Sequence, residues 1–103
     1  MTKLPTVVTI VPVKFEWDEA KCLANIKKHG IDFADVPAVF DGDVFTIEDV
    51  RLDYGEVRFV TFGLLKFRVI VVAHTDEDNT IRIISARKAT KDERKSYFEE
   101  IGH

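Results

Sequence analysis

His29 is the side chain of this sequence best suited to acid–base chemistry, because an imidazole ordinarily titrates at about pH 6.5. It lies in the segment Lys28-His29-Gly30. A cation followed by glycine is also typical of a helix C-terminus, where it interacts favourably with the helix dipole. Lys21 and Lys28 would lie on one side of that helix. They could bind a phosphate, or they could form an ordinary solvated surface.

Three arginines, Arg58, Arg82 and Arg87, occur in segments whose composition is typical of β-strands. An arginine on a central strand loses hydration unless it meets a carboxylate or an anionic ligand. Arg82 and Arg87 could therefore bind a phosphate, or they could form ion pairs with the acids of residues 41–56. In a regular strand the two point to opposite faces, so they share a site only if the strand bends after Ser85.

The motifs of several enzyme classes are absent from the sequence. There is no phosphate-binding glycine loop, no G-x-S-x-G and no H-E-x-x-H. The single cysteine, Cys22, excludes an intrachain disulfide, and His29, His74 and His103 do not have a metal-ligand spacing. We therefore expect neither a metal nor a cofactor. The expected role of His74 is that of a satisfied core or edge histidine.

Charge is distributed unevenly along the chain. The net charge of −3 argues against a protein whose whole surface binds nucleic acid. Residues 41–56 contain six acids and one base, whereas residues 80–98 contain six bases and two acids. The second segment could bind phosphate groups, or it could be a solvated surface.

The length of 103 residues and a hydrophobic content of 46% predict one domain with a real core. Residues 1–13 are expected to be an extension, either an edge strand or a loose tail, because Pro5 and Pro12 flank a β-branched stretch. Residues 14–103 would form the domain. The apolar run of residues 7–13 is too short to span a bilayer, so we expect a cytoplasmic protein without membrane contact.

Periodicity and capping signals predict the helices and strands that carry these side chains. We expect a short strand at 13–17, helices at 18–29, 33–40 and 91–101, and strands at 44–51, 56–64, 67–75 and 80–87. Asp18 and Gly30 would cap the first helix, with Leu23 and Ile26 facing the core and Asn25 on the polar side. Short connections predict an α+β fold, with an antiparallel sheet of four to five strands, two N-terminal helices and one C-terminal helix.

Two long blocks of this sequence resemble the BrnT family of toxins. The first is Phe15-Glu16-Trp17-Asp18 with Lys21, Asn25 and Lys28-His29-Gly30, which is similar to F-x-W-D-x-x-K-x-x-x-N-x-x-K-H-G. The second runs from Arg82 to Tyr97 and is similar to R-I-I-S-A-R-x-A-T-x-x-E-R-x-x-Y. Between them, Gly55-Glu56-x-Arg58 and Gly63 resemble the middle strands. The resemblance covers about residues 15–98.

The resemblance implies a RelE-like fold and a metal-independent ribonuclease toxin that inhibits translation. It also implies a BrnA-like antitoxin with a ribbon-helix-helix part, with operator DNA bound only through that antitoxin. The residues in these blocks that could act on RNA are His29, Lys28, Arg58, Arg82 and Arg87 as catalytic groups, and Lys21, Lys88, Arg94 and Tyr97 as RNA-binding groups. We expect Lys28, His29, Arg82 and Arg87 to meet on one open surface. The alternative is a catalytically inactive member that acts as a protein-binding or co-repressor module.

Overall fold

The structure is a computed structural model that describes residues 13–102. Of the predicted extension, residues 1–12 lie outside this range. The strands are β1 (Lys14–Trp17), β2 (Phe45–Asp49), β3 (Arg58–Leu65), β4 (Arg68–Glu77) and β5 (Thr80–Lys88). The α-helices are α1 (Glu19–His29) and α2 (Lys91–Ile101), and two short 3-10 helices span Phe33–Asp35 and Pro37–Asp41. The predicted α+β class is confirmed.

Within residues 13–102 the five strands form one sheet in the order β1-β5-β4-β3-β2. Strands β2 to β5 are joined as an antiparallel meander, as predicted. β1 pairs in parallel with β5, so the predicted antiparallel sheet of four to five strands is antiparallel over β2 to β5 only, and the five-stranded sheet is mixed. The reason is the long connection through α1 and the 3-10 helices, which carries the chain to the other edge of the sheet. No tight turn fixes the direction of β1.

The two faces of the sheet are covered differently. On the first, the α1 face, Ile70, Val72 and Ile83 pack against α1 and the 3-10 helices in the main core. On the second, the α2 face, α2 covers one end through Tyr97, which packs with Phe62 and Val71. The remainder of the α2 face is left accessible, and it carries polar side chains from three strands.

The helix α1 lies on the sheet in an orientation that the sequence did not predict. Cys22 and Asn25 are buried, whereas Leu23 is 62% exposed and Ile26 is 38% exposed, so the predicted inward side of the helix is wrong. Asn25 donates from Nδ2 to the carbonyl oxygens of Ile31 and Ala86, both at 2.9 Å, and accepts from the Ala86 amide at 3.1 Å. β1 ends before Ala86, and the Asn25 amide replaces the missing strand partner there.

The predicted second helix is also different in the structure. The segment predicted as one helix over 33–40 forms two 3-10 turns separated at Val36. Pro37 has no amide hydrogen, so an α-helical bond from this position cannot form. The predicted caps are confirmed, with Asp18 accepting from the Lys21 amide and Gly30 in the left-handed conformation at φ 72°. Thr90 and Glu93, three residues apart, have the spacing of a capping box, and this capping box is present at the start of α2.

Candidate active site

The centre of the candidate site is a carboxylate held between two arginines on the α2 face. Arg82 donates from Nη2 to both oxygens of Glu56, at 2.6 and 2.7 Å. Arg58 donates from Nε to Glu56 Oε2 at 2.9 Å. The hydrogen bond from Arg58 contributes most, and the charge and hydrogen bonds of Arg82 add to it. Together they hold the pKa of the Glu56 carboxyl below its ordinary value, so Glu56 is ionised at neutral pH.

This centre is connected to the edge strand β2 through an aromatic ring. The Arg58 guanidinium lies over the Tyr54 ring, 4.2 Å from its centre. The Tyr54 hydroxyl donates to Asp49 Oδ2 at 3.1 Å, and Arg51 donates to both oxygens of Asp49 at 2.8 Å. The hydrogen bonds from Arg51 lower the pKa of Asp49. Arg58 is therefore fixed on both sides.

A bulge in β5 brings Arg82 and Arg87 onto the same face of the sheet. Ser85 pairs with Ala73 and Ile83 pairs with His74, so Ile84 has no partner and the alternation of side chains shifts by one residue. The required bend therefore occurs at Ile84 rather than after Ser85. Arg82 and Arg87 remain separated by five positions, roughly 16 Å along a strand.

Arg87 has a carboxylate partner of its own. Its Nη1 and Nη2 donate to Glu93 at 2.7 and 2.9 Å. The hydrogen bonds from Arg87 lower the pKa of Glu93 to about 2. Arg82 and Arg87 both form ion pairs, which was one of the two interpretations of these strand arginines. Only Arg82 pairs with an acid of residues 41–56. A cavity of about 280 Å³ adjoins the Arg87–Glu93 pair. Its charged lining residues are Arg51 and Arg87 and the acids Glu48, Asp49 and Glu93.

The predicted meeting of Lys28 and His29 with Arg82 and Arg87 is wrong. The helix α1 packs on the α1 face, and His29 lines a cavity of about 340 Å³ there with Lys66, Arg68 and Lys88. Both arginines project from the other face of the sheet. The physical reason is that His29 lies on the inward side of α1 that Cys22 and Asn25 define, which fixes it to the α1 side.

The structure places the predicted RNA-binding residues in three environments. Lys21 is exposed on α1, as is Lys28, which was predicted to be a catalytic group. Lys88 and Arg94 line one cavity with Phe67 and Phe98. Tyr97 is only 1% exposed and its hydroxyl donates to the Asp43 carbonyl at 2.6 Å, so its ring cannot stack on a base and this assignment is wrong.

His74 is the satisfied core histidine that the sequence predicted. It is 2% exposed, Nδ1 donates to the Thr75 carbonyl at 3.0 Å, and Nε2 accepts from the Thr61 hydroxyl at 2.6 Å. Burial lowers the pKa of His74. Among residues 13–102, no group of three or more His, Cys, Asp or Glu side chains is placed to hold a metal ion.

Sequence reasoning missed Glu56, Tyr54, Phe67 and Phe98. Glu56 lies in the block Gly55-Glu56-x-Arg58, so its spacing from a strand arginine was a usable signal. The contacts of Glu56 with Arg82 join positions 26 residues apart, and no local pattern reveals such a contact. Phe67 and Phe98 lie in segments predicted as a strand and a helix, and residue type alone does not reveal that they are exposed.

Fold and site together define a small α+β protein whose five-stranded mixed sheet has one accessible face carrying arginine–glutamate pairs. Residues 17–93 match the family model of the ribonuclease toxin BrnT of type II toxin-antitoxin systems. The chain therefore belongs to the BrnT family of ribonuclease toxins, as the sequence blocks predicted.

A solved structure agrees with this assignment. The chain is similar to the crystal structure of the Brucella abortus ribonuclease toxin BrnT, with 30% sequence identity and a TM-score of 0.58. The similarity covers 77% of this chain and 99% of that one. No curated protein matches the chain. Within the described part of the chain, no helix is long and apolar enough to cross a membrane.

Proposed function

We propose that this chain is a metal-independent endoribonuclease whose cleavage centre is Glu56 with Arg58 and Arg82. Family membership supplies the reaction class, and one observation carries the site: an ionised carboxylate is held between two guanidinium groups on an accessible sheet face. A base beside two cations is what attack of a ribose 2′-hydroxyl on the adjacent phosphate requires.

The proposed reaction uses the substrate's own nucleophile. Glu56 takes the proton of the 2′-hydroxyl, the 2′-oxygen bonds to phosphorus, and the bond to the 5′-oxygen breaks. The leaving 5′-oxygen takes a proton from solvent, so the products are a 2′,3′-cyclic phosphate and a 5′-hydroxyl. Arg58 and Arg82 stabilise the negative charge of the transition state. As they turn toward the phosphate, their hold on Glu56 weakens and the carboxylate becomes more basic.

The charges around the centre favour one direction for the RNA. Glu16, Glu77 and Asp78 line the cavity on the β1 side of Arg82 and would repel phosphates. Toward the other end of β5 lie Arg51 and Arg87, which are paired with Asp49 and Glu93, and past them Lys88 and Arg94, whose cavity contains no acid. We therefore propose that the strand runs from Glu56 along β5 toward Arg87.

The sharpest test is the Glu56→Gln variant assayed on an RNA oligonucleotide. We expect the cleavage rate to fall by about 10²-fold or more, because the amide keeps the shape but cannot take the proton. Arg58→Ala and Arg82→Ala should cost a comparable factor. Glu99→Gln, a charge-matched change at an exposed position of α2, should cleave normally. Melting should change little in each case, since exposed ion pairs contribute little stability.

A second candidate is His29, because it shares its cavity with the cations Lys66, Arg68 and Lys88. The two candidates differ in pH dependence. A reaction that depends on an imidazole changes rate between pH 5 and 8. A reaction that depends on Glu56, whose pKa lies below its ordinary value, has a flat rate over that range. Normal cleavage by Glu56→Gln together with loss of cleavage by His29→Ala would move the site to the α1 face.

Metal independence has a direct test. Cleavage by the purified chain should be unchanged in EDTA, because protein groups supply both the base and the positive charge in the proposed reaction. Loss of cleavage in EDTA that added Mg²⁺ restores would contradict the proposal. If the wild-type chain cleaves neither free nor translated RNA, the alternative of a protein-binding or co-repressor module replaces it.

The biological role that we propose is inhibition of translation through RNA cleavage, with neutralisation by a BrnA-like ribbon-helix-helix antitoxin. Membership of a type II family implies a protein antitoxin. The antitoxin would cover the accessible part of the α2 face, and operator DNA would be bound only through it. Expression of the chain should arrest growth, and co-expression of the antitoxin should restore it and yield a complex. A complex that cleaves RNA as fast as the free chain would contradict this arrangement.

A further inference from the structure

Two aromatic rings are exposed at the end of the sheet where β5 finishes. Phe67, in the turn between β3 and β4, is 100% exposed, and Phe98 on α2 is 52% exposed. Both line one cavity of about 190 Å³, together with Arg68, Lys88 and Arg94. We call these five residues the aromatic–basic patch.

The charge of the patch differs from that of the sheet face. Its lining contains three cations and no acid. Within residues 13–102, the ion pairs of the chain involve Arg51, Arg58, Arg82 and Arg87, and none involves a cation of the patch. A phosphate that binds here therefore does not have to displace a carboxylate.

The backbone at Phe67 has a conformation that a bulky residue rarely adopts. Lys66 and Phe67 form a two-residue turn in which both have positive φ, 51° and 68°. The turn between β4 and β5 has the same form, but it uses Asp78 and Asn79, whose short polar side chains tolerate that conformation. A bulky residue is strained there, and a ring that is fully exposed gains nothing from burial. The Phe67 ring therefore extends into solvent at the end of the hairpin.

The Phe98 ring contacts the ring of Tyr97 edge to face. The two ring centres lie 5.2 Å apart at an interplanar angle of 76°, and Tyr97 is anchored in the core through its hydroxyl. Phe98 therefore presents its ring from a rigid support, beside the cations of the patch.

We propose that the aromatic–basic patch binds single-stranded RNA, with unpaired bases stacking on Phe67 and Phe98 and phosphates on Arg68, Lys88 and Arg94. Exposed rings between unpaired cations are the usual platform for single strands, because every base has a face that can stack. The site rests on the proposed function in that RNA is the substrate. Lys88 lies six positions along β5 from Arg82, so a substrate that reaches both needs unpaired nucleotides beyond the scissile phosphate.

A binding assay tests the patch independently of RNA cleavage. The probe is a fluorescent single-stranded RNA with 2′-O-methyl groups, which cannot be cleaved, and the measurement is anisotropy. Phe67→Asn and Phe98→Ala should each weaken binding by roughly five-fold or more. Phe67→Tyr should bind like the wild type and Phe67→Leu should bind like Phe67→Asn, because stacking needs a ring. Leu23→Ala, an exposed apolar change on α1, should have no effect.

Thermal melting distinguishes the loss of an RNA contact from a folding defect. Phe67→Asn places a residue that tolerates positive φ in the turn, so its Tm should be equal to or above that of the wild type. Weaker RNA binding by a protein that is no less stable cannot be a folding defect. A lower Tm together with weaker binding by Phe67→Asn, with no loss in Phe67→Leu, would overturn the proposal.

Salt dependence tests the cations. Arg94→Gln should reduce the slope of log affinity against log salt by about 0.7, the value for one phosphate contact on a single strand. Phe67→Asn should lower the affinity and leave that slope unchanged. A duplex RNA of the same length should bind the wild type and Phe67→Asn equally, because its bases are not free to stack.

Unchanged single-strand binding in Phe67→Asn and Phe98→Ala overturns the proposal outright. If those variants also lose the antitoxin complex, the patch is a protein-docking surface. Failure of the cleavage centre has a different result: Glu56→Gln would cleave normally while the patch variants still lost binding. The reverse result would retain the cleavage centre and reject the patch.

Discussion

Replacing Asn25 by alanine tests how α1 is attached to the sheet. Asn25 is 6% exposed, and its amide makes three hydrogen bonds to backbone groups of Ile31 and Ala86. The substitution removes all three and leaves the amide and carbonyl of Ala86 without partners at the point where β1 has ended.

The expected magnitude follows from these bonds. A net value of about 1 kcal/mol for each bond gives a loss of about 3 kcal/mol in the free energy of unfolding. A domain of this size has a total stability of about 5–15 kcal/mol, so the loss is a large fraction of it. Asn25→Asp should cost at least as much, because a carboxylate cannot donate to the carbonyls of Ile31 and Ala86.

The assay is urea unfolding of the purified chain and its variants, followed by circular dichroism. Lys28→Ala is the matched control, since Lys28 was assigned to the same polar side of the helix and is exposed. It should change the stability by no more than about 0.5 kcal/mol. A loss below about 1 kcal/mol in Asn25→Ala, or equal losses in the two variants, would refute the argument that Asn25 replaces a strand partner.

Three further predictions concern stability. Burial lowers the pKa of His74, so the unfolded state binds more protons below about pH 6.5; the Tm should fall as the pH drops below that value, and His74→Gln should flatten this dependence. Arg87 lowers the pKa of Glu93 from 4.5 to about 2, so the stability that Glu93 contributes should persist above pH 4.5 and disappear as the pH falls toward 2, and Glu93→Ala should remove it, as thermal melts over that range would show. Gly63→Ala should cost about 1–3 kcal/mol in urea unfolding, because its Cβ would contact the buried Val39 side chain, and an unchanged midpoint would contradict this packing.

The sequence by itself determined the elements whose signals are local. Asp18 and Gly30 bounded α1, and Thr90 with Glu93 began α2, because a cap acts on amides and carbonyls within one turn. Alternation and turn residues located β2 to β5, since each tight connection joins neighbouring strands. The two long blocks also identified the family, which matches residues 17–93.

The tertiary structure alone decided which faces these elements present. The sequence predicted Leu23 and Ile26 on the inward side of α1 and Asn25 on the polar side, because the backbone partner of Asn25 in Ala86 is 61 residues away. The side that was chosen carries His29 to the α1 face. The bulge at Ile84 turned Arg82 and Arg87 to the opposite face, where Arg82 meets Glu56. Periodicity depends only on residues that are close in the sequence, whereas the partners of these polar groups come from distant strands. Only packing of the whole sheet could therefore select those partners.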